Sequence, residues 1–86
     1  EPFELVRRLR EAALATPSCF PDASEVITLD GVRVEFTHGF GLARASNTTP
    51  VVVLRFEADD AAALDGIQTT FRRAIDAVWP GLQLPF

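Results

Sequence analysis

The spacing of apolar side chains along the chain changes from a helical period to an alternating one and then back. Residues 3–15 carry apolar side chains at helical spacing, which predicts an amphipathic helix. A second helix is predicted near the other end, with Asp59 or Asp60 as its N-cap and the segment 79–81 as its stop. The apolar stripe of this second helix consists of Leu64, Ile67, Phe71, Ile75 and Val78.

Between the two helices, short runs of alternating apolar and polar residues predict four strands. These strands are expected at residues 25–29, 32–36, 42–45 and 51–57. The dipeptide Asp30-Gly31 separates the first two runs, and it is the strongest short signal for a hairpin. A two-residue turn there would pair Leu29 with Val32 and Ile27 with Val34, which places these four residues on one buried face.

The connections between the elements are short, and the glycine-rich segment 38–41 is expected to be one of the turns. The order of helix, four strands and helix therefore predicts an α+β fold. We expect a two-layer sandwich in which a four-stranded, mainly antiparallel sheet carries two helices on one face. Residues 1–86 are expected to form a single domain.

Composition and charge exclude several classes of function. The chain is 48% apolar and 23% charged, which is typical of a globular domain. Its net charge is −4 and all eight basic residues are arginine, so neither nucleic acid nor an anionic membrane is an expected partner. A single cysteine and the lack of a long apolar run favour a cytoplasmic location. One cysteine and one histidine cannot form a usual zinc site, so no metal is expected in this chain.

The segment Arg44-Ala45-Ser46-Asn47-Thr48-Thr49-Pro50, between two predicted strands, carries residue types that suit a bound phosphate. An arginine can donate two parallel hydrogen bonds to phosphate oxygens, and Ser46 and Thr48 add hydroxyl donors. Asn47 tolerates left-handed backbone, which helps consecutive N–H groups to converge on an anion. Residues 36–56 contain no Asp or Glu. The same residue types are also ordinary turn formers, so on spacing alone a plain turn is at least as good an interpretation as a phosphate site.

The sequence from Arg44 to Pro50, followed by Val-Val-Val-Leu-Arg-Phe-Glu-Ala58, resembles the last domain of the α-D-phosphohexomutase superfamily. It is most similar to the bacterial phosphomannomutase/phosphoglucomutase branch. The upstream Asp30-Gly-Val-Arg-Val and the ending Leu84-Pro-Phe86 fit that branch as well, and the resemblance covers nearly the whole chain. Asn47 and Thr49 favour this branch over the phosphoglucosamine branch.

The resemblance implies a fold related to the TATA-binding protein and a parent enzyme with three further domains around one cleft. The parent would interconvert the 1-phosphate and 6-phosphate of glucose or mannose through a 1,6-bisphosphorylated sugar. Its phosphoserine and its Mg²⁺ would lie outside this chain, so the isolated domain is not expected to be active. This domain would hold the phosphate that is not transferred. By motif position that role falls on Arg44, Ser46, Asn47 and Thr48, with Thr49 as a weaker candidate.

Two other functions are weighed against this one. The chain could be a free-standing interaction or regulatory module with a phosphate-like turn, whereas nucleic-acid binding through the sheet is disfavoured by the net charge. Arg55 is expected to pair with Glu57 or Glu35 on the sheet surface rather than to serve the loop. The last domain of the family usually has a strand before its first helix, so an unpaired sheet edge is expected here.

Overall fold

The predicted order of helix, four strands and helix is present in the computed structural model, which describes residues 2–15, 20–21, 23–29, 31–46 and 51–86. The elements are α1 (Pro2–Ala15), β1 (Ala23–Ile27), β2 (Val32–Phe36), β3 (Gly39–Ala45), β4 (Val52–Ala58) and α2 (Ala61–Val78). The strands lie in chain order, and each one is antiparallel to the next. Both helices contribute to the same core as the sheet, so the predicted fold class is confirmed.

Phe71 of α2 lies at the centre of the core, between the helices and the sheet. Its side chain is 0% exposed, and its ring centroid lies 5.2 Å from those of Phe20 and Phe56. Phe20 comes from the segment between α1 and β1 and is itself buried. The other buried apolar side chains come from both helices and the two central strands: Leu5, Val6, Leu9, Ala13, Val32, Val34, Ala43, Ile67, Ala74 and Ile75.

The predicted hairpin of β1 and β2 exists, but its predicted register is wrong by one residue. Val26 lies opposite Val34, and Ile27 lies opposite Arg33. The strand ends at Ile27, so residues 28–31 separate the two strands and the turn is longer than the two-residue turn that Asp-Gly favours. Asp30 itself lies outside the described residues.

A one-residue shift exchanges the two faces of a strand, and the burial of β1 follows the observed register. Val32 and Val34 are buried as predicted. Val26, rather than Ile27, packs against the core from β1. Ile27 is 36% exposed and Leu29 is 92% exposed, so both were wrongly assigned to the buried face.

The segment 38–41 was predicted to be a turn, and this prediction is wrong for its last three residues. The turn is formed by Thr37 and His38, and β3 already begins at Gly39. The glycines here meet a packing requirement. A Cβ at Gly39 would lie 2.1 Å from the backbone oxygen of Glu57, and one at Gly41 would lie 2.4 Å from the ring of Phe71.

The last strand and the second helix form as predicted. Val52, Leu54 and Phe56 of β4 pack against the core, whereas the intervening side chains are exposed. Asp60 is the N-cap of α2: its Oδ1 accepts a hydrogen bond of 2.7 Å from the backbone N–H of Ala63. The helix ends at Trp79, as predicted.

We expect the substitution Asp60→Ala to lower the free energy of unfolding by about 1 kcal/mol, because the first turn of α2 loses its capping acceptor. Urea unfolding followed by circular dichroism measures this change. Asp59→Ala is the matched control, since it removes the neighbouring carboxylate, whose side chain is 73% exposed. Equal stability losses in the two variants would contradict a specific capping role for Asp60.

Candidate functional site

The loop that carries the phosphate-like sequence has its two ends fixed by backbone pairing. Ala45 and Val52 form the last pair of the β3–β4 ladder. Beyond that pair, the backbone N–H of Ser46 donates a hydrogen bond of 2.9 Å to the carbonyl oxygen of Val51. The two described ends of the loop, Ser46 and Val51, are therefore held together.

The structure brings two of the predicted site residues to the base of this loop. Arg44 is exposed and lies opposite Val53 in the ladder, and Ser46 is half-buried at the hydrogen bond that closes the loop. The other predicted site residues, Asn47, Thr48 and Thr49, lie outside the described residues. Their roles therefore stay predictions.

Gly31 of the β1–β2 turn lies directly against the stem of Arg44. A Cβ on Gly31 would be 2.4 Å from the backbone oxygen of Ala43, 3.0 Å from Arg44 Cα and 3.2 Å from Arg44 Cβ. Gly31 also has a backbone φ of +84°, a value that residues with a side chain rarely adopt. The absent side chain lets the turn pack on β3, so Gly31 is a positioning residue for Arg44. Sequence reasoning noticed Gly31 only as part of a turn.

A cavity of about 280 Å³ lies at this end of the molecule, between α1 and the sheet. Arg7 and Arg10 of α1 line it together with Arg44. Phe3, Val6, Gly31 and Ala45 complete its wall. Sequence reasoning missed the two arginines of α1, although their i,i+3 spacing places them on one face of the helix. Only the packing of α1 on the sheet brings that face beside Arg44.

Two carboxylates of α1, Glu4 and Glu11, neutralise part of the positive charge of the arginines on this helix. Glu4 accepts a hydrogen bond of 2.9 Å from Arg8 Nε and another from Arg7, and Glu11 accepts one of 3.0 Å from Arg7. The hydrogen bond from Arg8 contributes most to lowering the pKa of Glu4 below its ordinary value of 4.5. Desolvation opposes this effect, and Arg7 adds to it. Glu4 in turn raises the pKa of Arg7. Glu4 and Arg7 thus each hold the other in its charged form at neutral pH.

The sheet face opposite the helices carries its own ion pairs. Arg55 Nε lies 2.9 Å from Glu57 Oε2, which confirms the predicted pairing of Arg55 on the sheet surface. Arg33 pairs with Glu35 at 2.5 Å, and its guanidinium lies 4.0 Å from the ring centroid of Phe40. The charges of Arg33 and Arg55 are therefore balanced by neighbouring carboxylates on the sheet surface.

The lone histidine lies in the turn between β2 and β3. His38 Nδ1 lies 3.3 Å from Asp59 Oδ2, but both side chains are mostly exposed to solvent. Among the described residues, no three His, Cys, Asp or Glu side chains come together as metal ligands. None of the described helices has the length and apolar character needed to cross a membrane.

Comparisons with known proteins give a consistent result. Residues 2–74 match the family described as "Phosphoglucomutase/phosphomannomutase, C-terminal domain". A phosphoglucomutase of Neisseria gonorrhoeae is 55% identical over 71 residues, covering 78% of this chain and 15% of that protein. A phosphomannomutase/phosphoglucomutase of Pseudomonas aeruginosa is 57% identical over 61 residues, covering 71% of this chain and 13% of that protein.

A solved structure agrees with the sequence comparisons. The crystal structure of a phosphoglucomutase/phosphomannomutase family protein from Burkholderia thailandensis superposes with a TM-score of 0.87 at 57% identity, covering 98% of this chain and 17% of that one. The fold and its hairpin loop thus define an α+β domain of the phosphohexomutase type. The chain belongs to the phosphoglucomutase/phosphomannomutase C-terminal domain family. It spans only 13–17% of the length of these three proteins.

Proposed function

We propose that this chain is the phosphate-binding domain of a phosphomannomutase/phosphoglucomutase that interconverts hexose 1-phosphate and hexose 6-phosphate through a bisphosphorylated sugar. In this proposal the loop at residues 44–49 holds the phosphate that is not being transferred. The main support is the position of Arg44 and Ser46 at the base of a hairpin loop whose ends are fixed by the Ser46–Val51 hydrogen bond.

The chemistry of the loop suits a phosphate monoester. The guanidinium of Arg44 can donate two parallel hydrogen bonds to phosphate oxygens, and the hydroxyl of Ser46 can donate one more. We propose that Asn47, Thr48 and Thr49 supply further donors from the tip of the loop. Residues 36–56 contain no carboxylate that would repel the ligand, although the whole chain has a net charge of −4.

The proposed role in catalysis is positioning. A phosphate held far from the reacting centre supplies binding energy that fixes the orientation of the sugar and of the reacting phosphate. A loop that contacts only the phosphate, and not the sugar hydroxyls, would bind the bisphosphorylated sugar through either of its two phosphates. An interconversion through a bisphosphate requires both orientations. From the resemblance to the phosphohexomutase family we also propose that the Mg²⁺ and the phosphoserine of the parent enzyme lie outside this chain.

The test is the substitution Arg44→Gln in the full-length polypeptide that contains this chain. We expect KM for glucose 1-phosphate to rise roughly 10- to 100-fold, because a charge-assisted hydrogen bond contributes about 1.5–3 kcal/mol. Arg55→Gln is the matched control, since it removes the same charge from an arginine already paired with Glu57. For this control we expect KM to change less than about threefold.

Two outcomes would contradict the proposal. A KM in Arg44→Gln equal to that of Arg55→Gln would show that the loop does not bind the substrate phosphate. Absence of any mutase activity in the unsubstituted full-length polypeptide would instead favour the alternative of an independent interaction or regulatory module. Circular dichroism of each variant, compared with the unsubstituted protein, separates lost binding from lost folding.

A further inference from the structure

The side chain of Arg44 lies on the face of the sheet that the helices leave uncovered. Successive side chains of a strand point to opposite faces. Ala43, the residue before Arg44 in β3, is 2% exposed and belongs to the core between the sheet and the helices. Arg44 is exposed on the other face. We call this other surface the helix-free face; by the strand register it carries Arg33, Leu42, Arg44, Val53 and Arg55.

Val53 of β4 is the cross-strand neighbour of Arg44 on the helix-free face. The two residues are direct partners in the antiparallel ladder. The Cβ atoms of such partners lie about 4.5–5.5 Å apart, so the methyl groups of Val53 are within reach of the aliphatic stem of Arg44. On the β2 side the neighbour is Gly31, which has no side chain to offer. Val53 therefore supplies the side chain that flanks Arg44 across the strands.

The other two arginines of the helix-free face are oriented by carboxylates. Arg33 and Arg55 each have a glutamate two positions further along their own strand, and these carboxylates accept hydrogen bonds of 2.5 and 2.9 Å. The same position after Arg44 holds Ser46, which carries no charge. The Arg-x-Glu arrangement that orients the other two side chains is thus replaced by Arg-x-Ser at Arg44.

We propose that Val53 is a positioning residue for Arg44, and that it holds the guanidinium on the helix-free face, where the phosphate is bound. The inference rests on the proposed function of the loop and deepens it, because it assigns the face of the sheet from which the ligand is held. An arginine stem packs on apolar surface while its charged group stays in water. Val53 is 39% exposed, so its outer surface is open to such a contact.

The physical role of this contact is to order the arginine before the ligand arrives. A free arginine side chain has many rotamers, and binding a phosphate in one geometry costs the entropy of the others. A β-branched side chain is stiff and presents a fixed apolar surface to its neighbour. Packing the stem of Arg44 against Val53 therefore lowers the entropy cost of binding, without any contact between Val53 and the phosphate.

The experiment measures KM and kcat for glucose 1-phosphate in the full-length polypeptide with Val53→Ala and Val53→Ile. For Val53→Ala we expect KM to rise about two- to fivefold, with kcat changed less than about 1.5-fold, because the affected contact is the same in the ground state and the transition state. Val53→Ile keeps a β-branched apolar side chain, so its KM should stay within about 1.5-fold of the unsubstituted value.

Ile27→Ala is the matched control for a general effect on the sheet. Ile27 lies opposite Arg33 as Val53 lies opposite Arg44, and it is 36% exposed. We expect its KM to change less than about 1.5-fold. Val53→Ala is also combined with Arg44→Gln. If Val53 acts through Arg44, its removal should leave the KM of Arg44→Gln unchanged, since neighbouring residues that act as one unit are not additive.

The outcomes separate this inference from the proposed function. If Arg44→Gln raises KM and Val53→Ala has no more effect than Ile27→Ala, the positioning role is overturned and the proposed function stands. If Val53→Ala raises KM equally with and without Arg44, Val53 acts by another route and the inference is again overturned. If Arg44→Gln itself leaves KM unchanged, the proposed function fails and the inference fails with it.

Discussion

The substitution Phe71→Ala is expected to remove a large share of the stability of the domain. Phe71 is 0% exposed and contacts the rings of Phe20 and Phe56, with both centroids at 5.2 Å. Removing a buried phenylalanine ring costs about 3–5 kcal/mol, because transfer free energy is lost and a cavity remains. At about 0.05–0.15 kcal/mol per residue, the free energy of unfolding of the whole chain is only about 4–13 kcal/mol.

Urea unfolding of the purified chain, followed by circular dichroism, measures this loss. Phe71→Leu keeps most of the volume and should cost less than Phe71→Ala, by about 1–3 kcal/mol. Leu14→Ala is the surface control, since Leu14 is 66% exposed and its truncation should change stability by no more than about 0.5 kcal/mol. A Phe71→Ala variant as stable as Leu14→Ala would show that the ring does not hold the two layers together.

The second large effect is expected at Gly31, where stability and the site are linked. In Gly31→Ala the new Cβ would lie 2.4 Å from the oxygen of Ala43 and 3.0 Å from Arg44 Cα, and neither backbone atom can move without disturbing β3. The left-handed φ costs roughly 1–2 kcal/mol for a residue with a side chain, and overpacking adds about 1–3 kcal/mol. We therefore expect a loss of about 2–5 kcal/mol, measured by urea unfolding.

Gly81 provides a matched control for this substitution. Its φ is +83°, almost the same as at Gly31, but a Cβ there would have no atom within 4 Å. Gly81→Ala should therefore show only the backbone cost, about 1–2 kcal/mol. The excess loss in Gly31→Ala measures the contact with β3. The function proposed above also predicts a higher KM for glucose 1-phosphate in the full-length polypeptide, because Arg44 is displaced. Equal losses at the two glycines would contradict the positioning role.

The sequence alone predicted the elements and their order, because both depend on local periodicity. The stripe from Leu64 to Val78 identified α2, and the alternation around Leu54 identified β4. Burial confirms both, with Ile67, Phe71 and Ile75 in the core. Local patterns suffice to predict these elements because one face of each is buried and the other is exposed to solvent.

The errors arose where a distant contact overrides a local preference. Asp30-Gly31 favours a two-residue turn, but the packing of Gly31 on β3 accompanies a longer turn and a register shifted by one residue. The glycines at positions 39 and 41 are common in turns, yet they lie in a strand because β4 and Phe71 leave no room for side chains. A single sequence does not show such contacts.

The candidate site was predicted only in part for the same reason. Arg44 and Ser46 were predicted as site residues because they lie within one short segment that resembles a known family, and their role stays a prediction. Arg10 precedes that segment by more than thirty positions, and only the packing of α1 places it at the same cavity as Arg44. The spacing of Arg7 and Arg10 indicated a shared helical face but not what that face would meet.

The order of the strands also bears on folding, because the loop-closure entropy lost in forming the sheet differs from that lost in packing the two helices together. Each strand pairs with its neighbour along the chain, so the sheet is built from three local hairpins whose loops close at little cost. Helices α1 and α2 lie at opposite ends of the described chain and pack on each other as well as on the sheet. Their contact closes the longest loop in the molecule. The helical layer therefore carries most of the contact order, and the sheet that bears the loop is the topologically simple part.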